Sequence, residues 1–255
     1  MDGLNSILQL PDRCIINKKI TKAFFKRNFD LTSAEKILIY DSRTISDISW
    51  IASVSPTTSN IVTYKDQQYL FEEIQIISVL INIEFERNYE KIAELIQKYI
   101  PYQILLIMYD SDRFVLNTCD KKVNQNDSSR RTIEKKYFSN AVIKDNASEI
   151  QKGFLDSLKF ANLDKTNLQT YYNAYTQRII SLQISNINGT FQPRTHSRTQ
   201  QDIYRLDKIE QLNSEINSLE IQAKKETQLN QRVQLNLTIN QKRQEIRNLT
   251  ALLSL

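Results

Sequence analysis

The spacing of apolar residues changes along the chain from alternating, to nearly continuous, to helical. Ile45–Val54 sets Ile48, Trp50 and Ala52 against Asp47, Ser49 and Ser53, the period-two pattern of a strand with one buried face. Glu72–Ile83 is apolar at 74, 76 and 77 and almost unbroken afterwards, which suits a central strand covered on both sides. Tyr102–Tyr109 is a third, very apolar strand. Asp110-Ser111-Asp112 then turns the chain, and Arg113–Cys119 returns as its hairpin partner. Polar residues Asp120–Arg131 read as a loop, with Tyr137–Ile143 as an added edge strand.

Between these strands the period is helical. Asn17–Arg27 has helical composition with Asn17 as its N-cap, and Thr32-Ser33-Ala34-Glu35 is a capping box that opens a helix to about Ser42. Ile92, Leu95 and Ile96 mark a helix over Tyr89–Tyr99 that stops ahead of Pro101. From Glu149 onward Ile150, Phe154, Leu155 and Leu158, then Leu168, Tyr171, Tyr172, Tyr175, Ile179, Ile180 and Leu182, continue in helical register. At that spacing the tyrosines pack a core rather than stack on bases. The expected fold class is α+β: a mixed, mainly antiparallel sheet flanked by helices, followed by a long coiled-coil-type helix or a helical hairpin.

Gly189–Gln200, with Pro193, divides the chain into a core domain (1–188), a linker (189–200) and coiled-coil helices (201–255). Ile209, Leu212, Ile216 and Leu219 recur at intervals of three and four, the seam of a heptad repeat. Leu235, Ile239, Ile246, Leu249 and Leu253 form a second stripe out of phase with the first. The phase breaks within Lys224–Gln234, where Glu226, Gln228, Asn230, Arg232 and Asn236 make a polar interruption. One continuous helix of about 75–80 Å accommodates the break, as does a hairpin whose arms zip together, although no glycine or proline marks a turn. Neither stripe is buried by its own helix, so a partner is expected: the sibling arm, the chain's own domain, another copy or another protein. The mixed polar faces argue against a membrane surface.

Composition narrows the chemistry. The chain holds three glycines, Gly3, Gly153 and Gly189, too few and too dispersed for a phosphate-cradling loop, and neither GxxxxGK[ST] nor GxGxxG occurs. Cys14 and Cys119 stand alone, without metal-ligand spacing, and the single histidine, His196, falls in the linker. No cofactor, metal or catalytic residue is expected. Met1–Pro11 lacks the basic start and apolar core of a signal peptide, so the expected location is cytoplasmic.

The net charge of +5 is unevenly placed: Arg13, Lys18, Lys19, Lys22, Lys26 and Arg27 form one basic cluster, and Arg130, Arg131, Lys135 and Lys136 a second. A third runs over Arg194–Arg198. Such patches suit nucleic-acid phosphates, or are simply solvated helix faces. Asp110 or Asp112 and the D-x-K of Asp120-Lys121-Lys122 invite a metal-dependent nuclease reading. The intervening strand separates Asp112 from Asp120 by roughly 26 Å, too far for one ion.

The stretches Leu10-Pro11, Trp50–Ile61, Glu73–Leu80, Ile100–Met108 and Lys224–Asn236 together resemble a bacterial family catalogued only as a domain of unknown function, in which a mixed N-terminal domain carries a basic, coiled-coil-like C-terminus. The resemblance implies a gene neighbourhood of type III restriction–modification, helicase and methyltransferase genes, and hence a defence role. It carries no catalytic residues. The leading expectation is a non-catalytic accessory or adaptor subunit that assembles through its C-terminal helices with a helicase- or methyltransferase-type machine, or with itself. A nucleic-acid-binding protein using the basic patches is the alternative, and a degenerate or metal-dependent nuclease a third.

Overall fold

The computed structural model describes residues 6–125, 127 and 131–254. In chain order its strands are β1 (Ile15–Lys19), β2 (Ile45–Val54), the short β3 (Tyr64–Lys65) and β4 (Leu70–Phe71), β5 (Ile74–Ile81), β6 (Gln103–Tyr109), β7 (Arg113–Val123), β8 (Arg131–Phe138) and β9 (Val142–Ile143). β3 and β4 pair only with each other. The others form one sheet in the order β1-β2-β5-β6-β7-β8, with β9 also on β7. Every pairing is antiparallel except β5 with β6, whose parallel ladder runs from Ile74↔Gln103 to Leu80↔Tyr109. That exception follows from the connection: a 15-residue helix lies between β5 and β6, long enough to return the chain to the same end of the sheet.

The helices are α1 (Lys22–Asn28), α2 (Ser33–Tyr40), α3 (Phe85–Tyr99), α4 (Glu149–Ser157), α5 (Leu168–Asn188), α6 (His196–Lys225) and α7 (Leu229–Leu253), with a single helical turn at Pro56–Ser59. Alternation along the strands sorts the core onto two faces. Ile74 and Ile76, Leu105 and Ile107, and Phe114 and Leu116 face α4 and the tyrosine-rich α5. Ile77, Val79 and Ile81, Ile104, Leu106 and Met108, and Val115 face Phe25 of α1, Ile39 of α2 and Ile92, Leu95 and Ile96 of α3. Tyr171, Tyr172 and Tyr175 are buried in the first layer. Tyr171 and Tyr175 share a hydrogen bond of 2.8 Å. The Tyr172 hydroxyl lies 3.1 Å from the carbonyls of both Ile104 and Cys119, which share its one proton, and accepts the Cys119 amide, bridging β6 and β7 beyond their last paired residues, Leu106↔Asn117.

The sheet and its helical flanks are as expected, with three local departures. Asn17 is not a helix cap. It sits at φ 49° in β1, where the register slips between Ile15 and Lys18, and Asn is among the residues that tolerate this conformation. The helix starts later, with the Thr21 hydroxyl accepting from the Phe24 amide. The span Asp120–Arg131 is not all loop: β7 continues to Val123 and β8 already begins at Arg131. The edge strand is therefore Arg131–Phe138 rather than Tyr137–Ile143. His196 is the first residue of α6 rather than part of an irregular linker.

The C-terminus is a hairpin. α6 and α7 are joined by Glu226–Gln228, and the cap residues Glu226 (φ −74°) and Gln228 (φ −81°) are extended. A three-residue connection of this kind turns the chain without any positive φ, so glycine is not required. The Glu226 carboxylate accepts the Gln228 amide at 2.7 Å, using the polar break to fasten the turn.

Candidate functional site

The α6–α7 hairpin is an arm with two different ends. At about 1.5 Å per residue its helices are roughly 45 and 38 Å long. Near the sheet, Ile203 and Leu253 are buried in the first core layer and Leu206 and Ile209 pack on it. Asp202 is fully buried there, within 3.3 Å of Arg194, 3.2 Å of Arg198 and 2.9 Å of Arg205. Arg194 also donates to the Leu253 carbonyl at 2.7 Å, and Arg198 to the Leu252 carbonyl at 2.5 Å. These carbonyls belong to the last turn of α7, where unpaired acceptors and the helix dipole both favour cations. The Arg194–Arg198 stretch, a basic cluster in sequence, is thus a clasp joining the two ends of the arm.

Farther out the arm depends on its own seam. Leu212, Ile216 and Ile239 are buried between the helices, and Leu219, Leu235, Ile246 and Leu249 are half-buried. Lys242 pairs with Glu215 at 2.5 Å and Arg243 with Glu220 at 2.7 Å across the seam. Both heptad stripes, Ile209 to Leu219 and Leu235 to Leu253, are accordingly turned toward the sibling helix or the domain. Left outside are Leu229, Val233 and Leu237, one turn apart on α7 and 64, 46 and 51% exposed, with Ile221 at 55% on α6. The polar-break residues Gln228, Asn230, Arg232 and Asn236 are exposed around them.

The two basic clusters have different surroundings. In the second, Lys135 pairs with Asp207 of the arm and Lys136 with Glu94 of α3 at 3.4 Å, so much of its charge is spent within the fold. Arg131 opens β8, and Arg130 lies outside the described residues. In the first, Lys19 pairs with Asp47 at 2.6 Å and Lys22 donates to the Ile45 carbonyl at 2.8 Å. Arg13, Lys18, Lys26 and Arg27 are exposed, with no ion pair among the described residues.

Beside this first cluster the second sheet face is left partly open. A cavity of about 470 Å³ is lined by Trp50, Gln75 and Ile77 of the sheet, by Thr21, Phe24 and Phe29 around α1, and by Ile100, Pro101 and Tyr102 before β6, with Lys18, Lys19 and Glu73 at its rim. Its Ile100–Tyr102 wall is held from behind. Lys121, fully buried on β7, donates to the carbonyls of Ile100 and Tyr102 at 2.9 and 2.7 Å. Burial pushes this amine down to about 7. On another side, the Tyr99 hydroxyl shares its one proton between the Asp30 carbonyl and Glu35, and Lys98 pairs with Glu35, at 2.9 Å each. Despite the opposing effect of burial, these bonds and those from Thr32 hold the Glu35 carboxyl down to about 2.

A smaller cavity, about 260 Å³, lies between the sheet, α5 and the start of the arm. It gathers Asp120, Tyr137, Asn173, Gln177 and His196. Burial raises the Asp120 carboxyl, and the Tyr137 hydroxyl donates to it at 2.6 Å. His196 makes no hydrogen bond among the described residues. Asp110 is occupied by Arg113 at 3.3 Å at the other end of β7 from Asp120. No group of three or more His, Cys, Asp or Glu residues among those described could hold a metal ion. Cys14 and Cys119 are buried thiols, and burial pushes Cys119 up to about 12.

A family model matches residues 8–246. The chain belongs to the family described as Domain of unknown function (DUF4391). In this DUF4391 chain the match runs from the buried Leu8 past the arm's turn and along most of α7, so sheet and arm fall within one family unit. No curated protein and no solved structure matches it. No helix among the described residues is long and apolar enough to cross a membrane.

Of the residues singled out from sequence, the fold brings together the two heptad stripes and sets Lys18 and Lys19 of the first basic cluster beside one cavity. It draws Lys135 and Lys136 of the second cluster into separate ion pairs. The aromatic cavity escaped the sequence reading because Phe24, Trp50 and Tyr102 come from three distant segments. Its one local signal was the neighbouring lysine run.

Proposed function

We propose that the protein is a non-catalytic accessory subunit of a bacterial anti-phage or restriction-type DNA-processing system, and that it docks on a protein partner through the outer side of its arm. The observation that carries this reading is the placement of Leu229, Val233 and Leu237. They lie on the side of α7 away from its seam, at the end of a hairpin whose other end is locked into the domain. Three apolar side chains one turn apart are the anchors with which a helix enters a partner's groove. The gene neighbourhood implied by the sequence resemblance favours a helicase or methyltransferase subunit as that partner, and the cytoplasm as its location.

The test uses the combined substitutions Leu229→Lys, Val233→Lys and Leu237→Lys. These positions are exposed, so thermal unfolding should be unchanged while co-purification with the native operon's helicase or methyltransferase subunit is lost. Persistence of that complex, measured by pull-down and light scattering, would sink the reading. Wholesale removal of residues 201–255 is a poorer test, because it strips Ile203 and Leu253 from the core and Asp202 from Arg194 and Arg198.

A further inference from the structure

We propose that the cavity lined by Trp50, Phe24 and Tyr102 binds an unpaired base of single-stranded nucleic acid, with guanine preferred, independently of what the arm docks on. Three features converge on that ligand. The first is shape and surface: about 470 Å³ is room for one nucleotide, and aromatic rings offer a base a stacking surface whatever its sequence. Tyr102 and Phe24 are 42 and 40% exposed, so neither ring is consumed by the core.

The second is charge. Lys18 stands opposite Trp50 across the β1–β2 ladder, placing its ammonium on the cavity's side of the sheet. Arg27, one turn on from Phe24, extends the same positive edge along α1, and both Lys18 and Arg27 are exposed and free of ion pairs among the described residues. A phosphate chain leaving the cavity would run onto these side chains, whereas the Lys135–Lys136 cluster is already neutralised by Asp207 and Glu94.

The third is the polar floor. Gln75 is buried, and its carbonyl oxygen accepts the Trp50 indole N–H, which fixes the amide so that its NH2 group remains to donate. Glu73, two residues earlier on the same face of the extended chain, uses one carboxylate oxygen to accept the Ser53 hydroxyl and keeps the other. An amide donor beside a carboxylate acceptor matches the Watson–Crick edge of guanine, where a carbonyl oxygen lies next to two N–H donors. Thymine offers one N–H flanked by carbonyls, one of which would face the carboxylate. The wall opposite is kept in place by Lys121 through the carbonyls of Ile100 and Tyr102, so the slot is formed before a ligand arrives.

Trp50 is the only tryptophan in the chain, so its emission reports on this cavity. The full chain is titrated with a short oligothymidylate, the same strand carrying one central guanine, that strand annealed to its complement, and guanosine monophosphate alone. Label anisotropy and Trp50 emission are read over a range of salt. The guanine-containing strand should bind tightest and quench Trp50. Tyr102→Ala should weaken it about tenfold or more, since each base–aromatic stack is worth at least that order. Lys18→Ala and Arg27→Ala should each reduce the salt slope by about one, and Glu73→Gln should erase the guanine preference by weakening the guanine-containing strand and tightening oligothymidylate. These four positions are at least partly exposed, and circular dichroism confirms that each variant is folded. Equal affinity for the duplex, unchanged Trp50 emission or flat salt dependence would overturn the proposal. Mononucleotide binding as tight as the strand would overturn it in favour of a free-nucleotide site.

Discussion

At its base the arm buries an aspartate among three arginines and sends Leu253 into the core. At its tip it leaves Leu229, Val233 and Leu237 in solvent around a three-residue turn. Both ends are drawn from one run of amphipathic helix, and in the sequence they look alike. What separates them is the number of neighbours available. The base has α5, β8 and the opposite helix terminus to satisfy it, whereas the distal half has only its sibling. A two-helix seam buries one stripe per helix and no more, so any further apolar residue on the distal half must face outward. The base is buried against this chain, and the tip turns three apolar side chains to solvent.

That contrast can be broken most forcefully at Asp202. Asp202→Ala leaves three guanidinium groups facing one another without a counter-charge and should destabilise the protein by about 3–5 kcal/mol in urea denaturation. The amides of the last turn of α7 should lose their hydrogen-exchange protection at the same time. A loss below about 1 kcal/mol would mean that apolar contacts alone hold the base. Arg194→Ala removes an ion pair and the cap on the Leu253 carbonyl together, with an expected cost of about 1.5–3 kcal/mol. Lysine at that position should restore only part of it, since a single ammonium does not reproduce the fork that reaches both partners.

Midway along the arm the expected effect is smaller and depends on pH. Hydrogen bonds from Lys242 and Gln211 hold the Glu215 carboxyl below its ordinary range. A depressed carboxyl adds stability above its unfolded pKa and loses that contribution as pH falls through the folded value. Helicity followed by circular dichroism should therefore decline as acid protonates Glu215, and Glu215→Gln should remove that part of the decline. An identical acid profile in the variant would show that the pair does not hold the seam. Smallest of all is Leu237→Gln, which should leave stability within about 0.5 kcal/mol, as expected for an exposed position.

The central strands β2, β5, β6 and the first part of β7 were legible because each carried its own apolar run, and the helix at Ser33 because its capping box is local: the Thr32 amide donates to Glu35 at 2.7 Å and the Glu35 amide to the Thr32 hydroxyl at 3.3 Å. The heptad stripes were legible for the same reason. The choice between one long helix and a hairpin was not, because a turn through extended residues carries no glycine or proline to announce it. Asp202 looked like any acidic residue on a helix, since its three partners become neighbours only once the two ends of the arm meet. Lys121, inside a D-K-K run, read as loop, yet it sits in β7 past a register shift between Asp120 and Lys121 and reaches the carbonyls of Ile100 and Tyr102. What is local in sequence was readable, and what depends on closure of the sheet or of the arm was not.

The clasp at Asp202 also has a mechanical consequence. Because α6 leaves the domain and α7 returns to it at the same ion cluster, force applied at the turn reaches the sheet through two struts at once. A pull along the arm loads the arginine–aspartate contacts and the Leu252 and Leu253 carbonyls together, with no single strand to peel away first. A sideways push is resisted by the separation of the two helix axes. The arm therefore behaves as a lever fixed at its fulcrum rather than as a tether, and Leu229 to Leu237 are held at a set distance and direction from the sheet.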